Sequence, residues 1–113
     1  MCTRNELENI LRSFTSESRA LFGDKLKDVI LYGSYARGDY DDESDIDVLL
    51  LVEIAKDELH KYRRPIAQIA NNADWEHVTL LSPVVKNYQE FLQYKEVMPF
   101  YKNVDREGVR LFL

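Results

Sequence analysis

The chain has 113 residues, which predicts one domain over 1–113, because two domains would each be too small for a core of their own. A composition of 45% hydrophobic and 31% charged residues is typical of a globular protein and excludes the fibrous and disordered classes. With 20 acidic and 15 basic residues, a net charge of −5, the chain lacks the charge for a broad face that binds nucleic acid.

The first half of the chain predicts one helix and two strands. Apolar residues recur with a helical period over Glu6–Phe22, and Gly23 can end that helix. Asp28–Ser34 is largely apolar and β-branched, which predicts a buried strand that ends in a tight turn at its glycine. After a polar loop over Gly38–Ser44, the run Asp45–Val52 predicts a second strand, apolar on both faces apart from its acidic start.

The next part of the chain predicts a helix and a third strand. Lys56–Asn72 has helical spacing, and Pro65 within it should kink the helix or split it in two. Trp75–Leu81 predicts a strand, and Ser82–Pro83 should end it.

The last part of the chain predicts a short helix over Asn87–Tyr94. The tail from Met98 mixes aromatic and charged residues, and Val109–Leu113 offers a last strand after a glycine. The whole order is α-β-β-α-β-α with an optional final β. It predicts an α/β (α+β) fold in which helices flank a small mixed β-sheet.

Several kinds of site and location are excluded by simple counts. No apolar run reaches the ~20 residues of a membrane span, and the longest, Ile46–Val52, is interrupted by Asp47. The first residues contain no apolar signal segment, which predicts a cytoplasmic protein. The chain has one cysteine and two separated histidines, His60 and His77, so a bound metal would depend mainly on carboxylates.

Two carboxylates stand at the start of the second predicted strand. Residues two apart in a strand point to the same face, so Asp45 and Asp47 are expected side by side. Two like charges there are unfavourable unless a cation lies between them. Mg²⁺ prefers carboxylate oxygens and keeps water or substrate phosphates as further ligands. A solvated strand end without any ligand would have the same sequence, and the pair alone leaves both interpretations open.

The turn after the first predicted strand can bind an anion. A strand that ends in glycine and leads into a short helix presents free backbone N–H groups. Gly33 has no side chain to block a phosphate, and the Ser34 hydroxyl can donate to one. An ordinary strand-to-helix turn has the same residues. The combination of this turn with the carboxylate pair predicts a site for a metal-bound nucleoside triphosphate.

The stretch Gly33–Asp47 resembles the signature of the DNA polymerase beta superfamily of nucleotidyltransferases, and more narrowly the minimal nucleotidyltransferases of bacteria and archaea. The matching residues are Gly33, Ser34, Arg37, Gly38, Ser44, Asp45 and Asp47. The resemblance implies a small α/β core with a mixed sheet. It also implies transfer of a nucleoside monophosphate from a triphosphate, with ATP the expected donor, to a hydroxyl, with release of pyrophosphate and with two Mg²⁺ ions.

The resemblance assigns roles to five residues of the two motifs. Gly33 and Ser34 would hold the triphosphate, while Asp45 and Asp47 would hold the metals. Arg37 would bind at the nucleotide site by contacting a phosphate, or else form a salt bridge to the acidic loop. The mechanism implied is positioning of the nucleophile together with neutralisation of phosphate charge.

The remaining two assignments are Ser44 and Glu76. Ser44 belongs to the cofactor-binding motif, although a structural role in capping or orienting the turn before Asp45 is favoured over contact with a ligand. The family pattern includes a third catalytic and metal-binding carboxylate on a neighbouring strand, and Glu76 is the only acid in Trp75–Leu81. Val78 and Leu80, on the same predicted face, are apolar, which departs from the family pattern.

Two functions of different class follow. The first is an enzyme that, by resemblance, transfers AMP to a tyrosine of a small helical HEPN-type partner, as the antitoxin half of a toxin–antitoxin pair. The second is a catalytically degenerate module that binds a nucleotide or a partner, suggested by the apolar residues where a third acid is expected. Nucleotidylation of small molecules is less favoured, since 113 residues leave little room for an acceptor domain. The sequence leaves the acceptor, the base preference and homo-oligomerisation open.

Overall fold

In the part of the chain that the structure describes, a four-stranded mixed sheet forms the centre, with helices packed on both of its faces. The computed structural model describes residues 4–41, 43–74 and 80–111, with the side chains of all of these except 73 and 74. The strands are β1 (Leu26–Tyr32), β2 (Ile46–Val52), β3 (Leu81–Asn87) and β4 (Val109–Arg110). The α-helices are α1 (Arg4–Phe22), α2 (Ser34–Arg37), α3 (Arg63–Asp74), α4 (Tyr88–Tyr94) and α5 (Pro99–Glu107). Two 3₁₀ helices cover Gly23–Lys25 and Lys56–Tyr62.

The described strands lie in the order β3-β2-β1-β4. β1 pairs antiparallel with both β2 and β4, whereas β2 and β3 run parallel. In this register Asp47 of β2 is paired with Tyr32 of β1 on one side and with Ser82 of β3 on the other. The predicted α/β (α+β) fold with a mixed sheet is confirmed.

Each face of the sheet has its own core. The larger core lies beneath α1 and α3 and contains the β2 residues Ile46, Val48, Leu50 and Val52. The smaller core lies beneath α4 and α5 and contains Leu49 and Leu51 of the same strand. Because side chains alternate along a strand, Asp47 belongs to the face covered by α4 and α5. The prediction that this strand is apolar on both faces after its acidic start is confirmed.

Polar contacts of Glu90 hold α4 and α5 together. The phenol of Tyr101 on α5 donates a hydrogen bond to the Glu90 carboxylate at 2.7 Å, and the Lys56 ammonium donates to its other oxygen at 2.7 Å. The side chain of Asn87 caps α4 by accepting the backbone N–H of Glu90 at 2.9 Å. These bonds fix α5 relative to the sheet, and α5 forms one wall of the site described below.

Most of the predicted elements are confirmed to within a few residues. The first helix and the first two strands are present, although β1 ends at Tyr32, so that Gly33 lies in the turn and Ser34 begins α2. The predicted split of the third helical segment is also confirmed, because a 3₁₀ helix gives way to α3 at Arg63. Pro65 then lies in the first turn of α3, where its missing N–H leaves no intrahelical bond unmade. None of the described helices is long and apolar enough to cross a membrane.

The predicted end of the third strand is wrong. β3 begins at Leu81 and runs through Ser82–Pro83 to Asn87, whereas residues 75–79 of the predicted strand lie outside the described residues. A proline cannot donate to a sheet, but β3 is the terminal strand of the described sheet, where such a residue is tolerated. Leu80 is not part of a strand and is 53% exposed.

Helix α5 was not expected from the mixed composition of the tail. Pro99 at its start and Gly108 directly after its end are the signals that mark it. Tyr101 and Val104, three residues apart, form its buried face. β4 confirms the first two residues of the predicted last strand, and residues 112–113 lie outside the described part of the chain.

Candidate functional site

The turn between β1 and α2 is built on Gly33. Its φ of 77° and ψ of −155° are unfavourable for residues with a side chain. A Cβ at this position would also overlap the carboxylate of Asp47. The carbonyl of Gly33 accepts the N–H groups of Ala36 and Arg37, both at 3.1 Å, which closes α2 over the turn. The glycine therefore allows the turn and the β2 carboxylate to approach each other closely.

Asp47 is half-buried between Tyr32 and Ser82 at one end of the sheet. Burial raises the pKa of its carboxyl, the neighbouring Asp45 raises that pKa further, and Arg37 opposes both. Burial and the negative charge of Asp47 together raise the pKa of the Tyr32 phenol to about 12. The charge of Asp47 is thus poorly compensated by the protein alone.

Asp45 precedes β2 and is exposed, so the two aspartates differ in their surroundings. The expectation that both lie within the strand is corrected, because β2 begins at Ile46. The charge of Asp45 still acts on Asp47, because it raises the pKa of the Asp47 carboxyl. Together they offer a half-buried and a solvent-accessible oxygen ligand.

Ser44 orders the acidic loop just before the aspartates. Its hydroxyl accepts the N–H of Asp41 at 2.9 Å and contacts the Asp41 carboxylate at 3.2 Å, while its N–H donates to the Asp41 carbonyl at 3.2 Å. The Asp41 carboxylate also accepts the N–H of Glu43 at 2.9 Å. Ser44 is therefore part of the turn that leads the chain into β2.

Arg37 forms ion pairs with two carboxylates. Its Nε lies 3.1 Å from Asp39 in the acidic loop, and its Nη1 lies 3.6 Å from Glu107 at the end of α5. The first pair is the salt bridge to the acidic loop, one of the two roles that the sequence left open for Arg37. The second was missed, because Glu107 is seventy residues away and nothing in its local sequence points to Arg37. Arg37 thus links the motif to α5.

A cavity of about 230 Å³ lies where the end of β1, the turn and α5 meet. Its lining includes Tyr32, Gly33, Arg37, Phe100, Asn103 and Glu107. Of these, the residues from α5 were not predicted, since the helix itself was not. The cavity and the Asp47 carboxylate meet at Gly33.

The third carboxylate expected on the neighbouring strand does not appear in the described part of β3. The β3 residue level with Asp47 is Ser82, and the following residues to Asn87 include no acid. Glu76, the residue predicted for this role, lies outside the described residues. Within the described ranges, no group of three or more histidine, cysteine, aspartate or glutamate side chains is arranged to hold a metal ion.

The chain is similar in sequence to nucleotidyltransferases. Residues 7–107 match the family model described as a nucleotidyltransferase domain. Over 108 residues the chain is 41% identical to a protein of Methanocaldococcus jannaschii provisionally named a protein adenylyltransferase, with 94% of this chain and 99% of that protein covered.

Solved structures show the same fold. A protein of Sulfolobus solfataricus, provisionally named a nucleotidyltransferase, gives a TM-score of 0.56 at 20% identity over 98% of this chain and 89% of the other. A crystal structure of a toxin–antitoxin with AMP-PNP gives a TM-score of 0.53 at 18% identity, covering 98% of this chain and 73% of that one. At these identities the two structures support the fold alone.

Proposed function

The chain belongs to the nucleotidyltransferase domain family, and on that premise we propose that it transfers AMP from ATP to a hydroxyl group of a partner protein. The observation that carries the proposal is the contact between the Gly33 turn and the Asp47 carboxylate. That contact unites a phosphate-binding turn and a pair of carboxylates in one corner of the sheet. A nucleoside triphosphate with its divalent cation has the matching charges.

The carboxylate pair fits a Mg²⁺ ion. Burial raises the pKa of Asp47, and the negative charge of Asp45 raises it further, so a cation between the two carboxylates would relieve an unfavourable charge. Mg²⁺ is commonly held by one or two carboxylates together with substrate phosphates. When bound, it supplies positive charge to the phosphates that take part in the transfer. The second ion implied by the family resemblance needs a further ligand, for which Glu76 is the proposed residue.

The other motif residues have distinct tasks in this proposal. Gly33 allows the backbone of the turn to approach the Asp47 carboxylate, and the Ser34 hydroxyl is proposed to donate to a phosphate. Arg37 is a proposed phosphate contact, and its ion pairs with Asp39 and Glu107 position its side chain. Ser44 acts on the nucleotide site through the loop that it orders.

A protein tyrosine is the proposed acceptor. The Methanocaldococcus relative is named for adenylyl transfer to protein, and one structure of similar fold is a toxin–antitoxin with AMP-PNP. The family resemblance adds a small helical HEPN-type protein as the partner, with this chain as the antitoxin. A tyrosine hydroxyl suits the reaction because, once deprotonated, it is a good nucleophile towards phosphorus.

The direct test is incubation of the purified chain with Mg²⁺, ATP and a small helical protein encoded beside it. We expect the partner to gain the mass of one AMP on a tyrosine and pyrophosphate to be released. The Asp47→Asn variant should transfer none, while an Asp57→Asn variant, which removes an exposed acid elsewhere, should transfer normally. Transfer by Asp47→Asn at the wild-type rate would contradict the proposal.

A second function is favoured by one observation, the serine at the β3 position level with Asp47. A site with two carboxylates can bind a nucleotide and still fail to transfer it. Under this alternative the chain binds Mg²⁺ and ATP but acts by docking to its partner. The Glu76→Gln variant separates the two functions: for the enzyme, transfer should fall far more than ATP affinity. For the binding module, wild-type protein should show ATP binding without any transfer.

A further inference from the structure

The cavity beside Gly33 has the size of one ring system rather than of a whole nucleotide. Its volume is about 230 Å³, below the ~300–1,000 Å³ of pockets that enclose complete drug-sized ligands. Gly33 lines it and also lies against Asp47, so the cavity continues from the place proposed for the phosphates. A ligand with its phosphates at Gly33 would extend its other end between β1 and α5.

The walls of the cavity suit a planar aromatic group. Phe100 is 38% exposed, although it is a large apolar side chain. Its ring packs edge-to-face against Tyr32, with the ring centroids 5.4 Å apart and the planes at 86°. This contact fixes the Phe100 ring and leaves part of it uncovered at the cavity. Aromatic side chains in this state are the usual platforms on which nucleobases stack.

Asn103 brings the polar group that distinguishes one base from another. It lies one turn after Phe100 on α5, is exposed and lines the same cavity. An asparagine amide has both a donor and an acceptor, and it pairs with the N6 amino group and N7 of adenine. Guanine presents two acceptors at the same edge, so only one of these bonds can form.

The opposite wall is charged. Arg37 and Glu107 line the cavity and form an ion pair at 3.6 Å, which joins α2 to the end of α5. This pair sets the distance between the turn and the helix that carries Phe100 and Asn103. The cavity therefore lies between two contacts to α5: the ring contact of Phe100 with Tyr32 of β1, and the ion pair of Glu107 with Arg37 of α2.

We propose that this cavity holds the adenine base of the nucleotide and that Asn103 selects adenine over guanine. The inference rests on the proposed nucleotidyltransferase function, and it adds the base specificity and the α5 residues that determine it. Phe100 would contribute stacking to any purine, whereas Asn103 would contribute two hydrogen bonds to adenine and one to guanine. Loss of Phe100 should thus weaken the binding of both purine nucleotides, whereas loss of Asn103 should lower the ratio of ATP to GTP affinity.

The test is a set of equilibrium titrations of the full chain with ATP, GTP and inorganic tripolyphosphate, all with excess Mg²⁺. Wild-type protein should bind ATP more tightly than GTP. Asn103→Ala should lower the ratio of ATP to GTP affinity about 5- to 10-fold, the lower end of the range for a bidentate base contact, because the site is open to solvent. Asn103→Asp, which can accept from the adenine N6 amino group but can donate to neither N7 nor O6, should weaken ATP binding and keep the preference for ATP over GTP.

Phe100→Ala should weaken ATP and GTP together by about 5-fold or more, and leave tripolyphosphate binding unchanged. The matched control is Lys102→Ala, an exposed change on α5, which should alter no affinity. Wild-type protein without an ATP preference, or an unchanged ratio in Asn103→Ala, would overturn the base site. If tripolyphosphate still bound in those cases, the proposed nucleotide function would stand. If wild-type protein bound neither ATP nor tripolyphosphate, both proposals would fail.

Discussion

The two faces of β2 differ in how completely the protein covers them. On the face beneath α1 and α3, Val48, Leu50 and Val52 are fully buried. On the other face, Leu49 and Leu51 are equally buried, but the series begins with the half-exposed carboxylate of Asp47. The first face provides the apolar burial that stabilises the strand. Because the strand is stabilised in this way, the second face can hold the charge of Asp47 in a position that is unfavourable without a ligand.

The largest expected effect on stability is on the first face. Phe14 of α1 is fully buried in the larger core, and Phe14→Ala should lower the free energy of unfolding by about 3–5 kcal/mol. The same substitution at the partly exposed Phe100 should cost much less stability but should weaken ATP binding. Denaturant titration and ATP titration of both variants measure the difference. If Phe100→Ala destabilised the protein as much as Phe14→Ala, the assignment of separate tasks to the two faces would be wrong.

The next largest effect is expected at Gly33, in the turn between β1 and α2 that lies against Asp47. Gly33→Ala places a methyl group against Asp47 and forces a positive φ on a residue with a side chain. We expect a loss of about 1–3 kcal/mol in the free energy of unfolding and a clear fall in ATP affinity. Gly23→Ala is the matched control, because Gly23 also has a positive φ, of 59°, but nothing lies within 4 Å of its added Cβ.

Gly23→Ala should therefore lower stability through backbone strain alone and leave ATP affinity intact. Equal ATP affinities in the two glycine variants would mean that the closeness of Gly33 to Asp47 has no role in binding.

A smaller effect is expected where α5 is attached to the second face. Tyr101→Phe removes the hydrogen bond to Glu90 but keeps the ring, which packs against Phe91. The free energy of unfolding should fall by about 0.5–1.5 kcal/mol, the usual contribution of one such bond. Thermal unfolding followed by circular dichroism measures this change. An unchanged melting temperature would show that α5 is held by its apolar contacts alone.

The smallest expected effect has the opposite sign. The raised pKa of Asp47 means that the folded chain binds this proton more tightly than the unfolded chain does, so its ionisation destabilises the fold as the pH rises. Asp47→Asn should raise the melting temperature at pH 7 when no nucleotide is present. Solvent screens a half-exposed group, so the rise should be below about 4 °C.

This gain should shrink as the pH is lowered to the range in which Asp47 is protonated in both states. Melting curves at several pH values distinguish the variant from wild type. A gain that stayed constant with pH would point to altered packing instead of the removed charge.

The parts of the site that local patterns encode could be predicted from the sequence. Gly33, Asp45 and Asp47 stand beside short apolar runs, and the alternation of a strand determines which neighbours share a face. Asp45 lies just outside β2 because strand ends depend on where the partner strand stops pairing, which no local pattern encodes.

The parts that depend on distant contacts could not be predicted. Apolar residues lie on both sides of Ser82–Pro83, and the proline led to the wrong prediction that the strand ends there. A strand can contain this proline only because β3 lies at the edge of the described sheet, which local sequence does not reveal. The pair between Arg37 and Glu107 joins α2 to α5, so it required knowledge of how α5 packs on the sheet. The sequence thus predicted the motif over Gly33–Asp47 but not helix α5, which lines the cavity beside Gly33.

We propose that Gly33, Asp45 and Asp47 form a single site for a nucleotide and its divalent cation. ATP affinity with and without Mg²⁺, in wild type and in the double variant Asp45→Asn, Asp47→Asn, tests whether they do. We predict that Mg²⁺ strengthens ATP binding to wild type and that the double variant loses this gain, by more than about 10-fold, while remaining folded. The control, Asp24→Asn with Asp57→Asn, removes the same charge from exposed positions and should behave as wild type. An equal Mg²⁺-dependent gain in ATP affinity in the double variant would show that Asp45 and Asp47 do not hold the cation of the bound nucleotide.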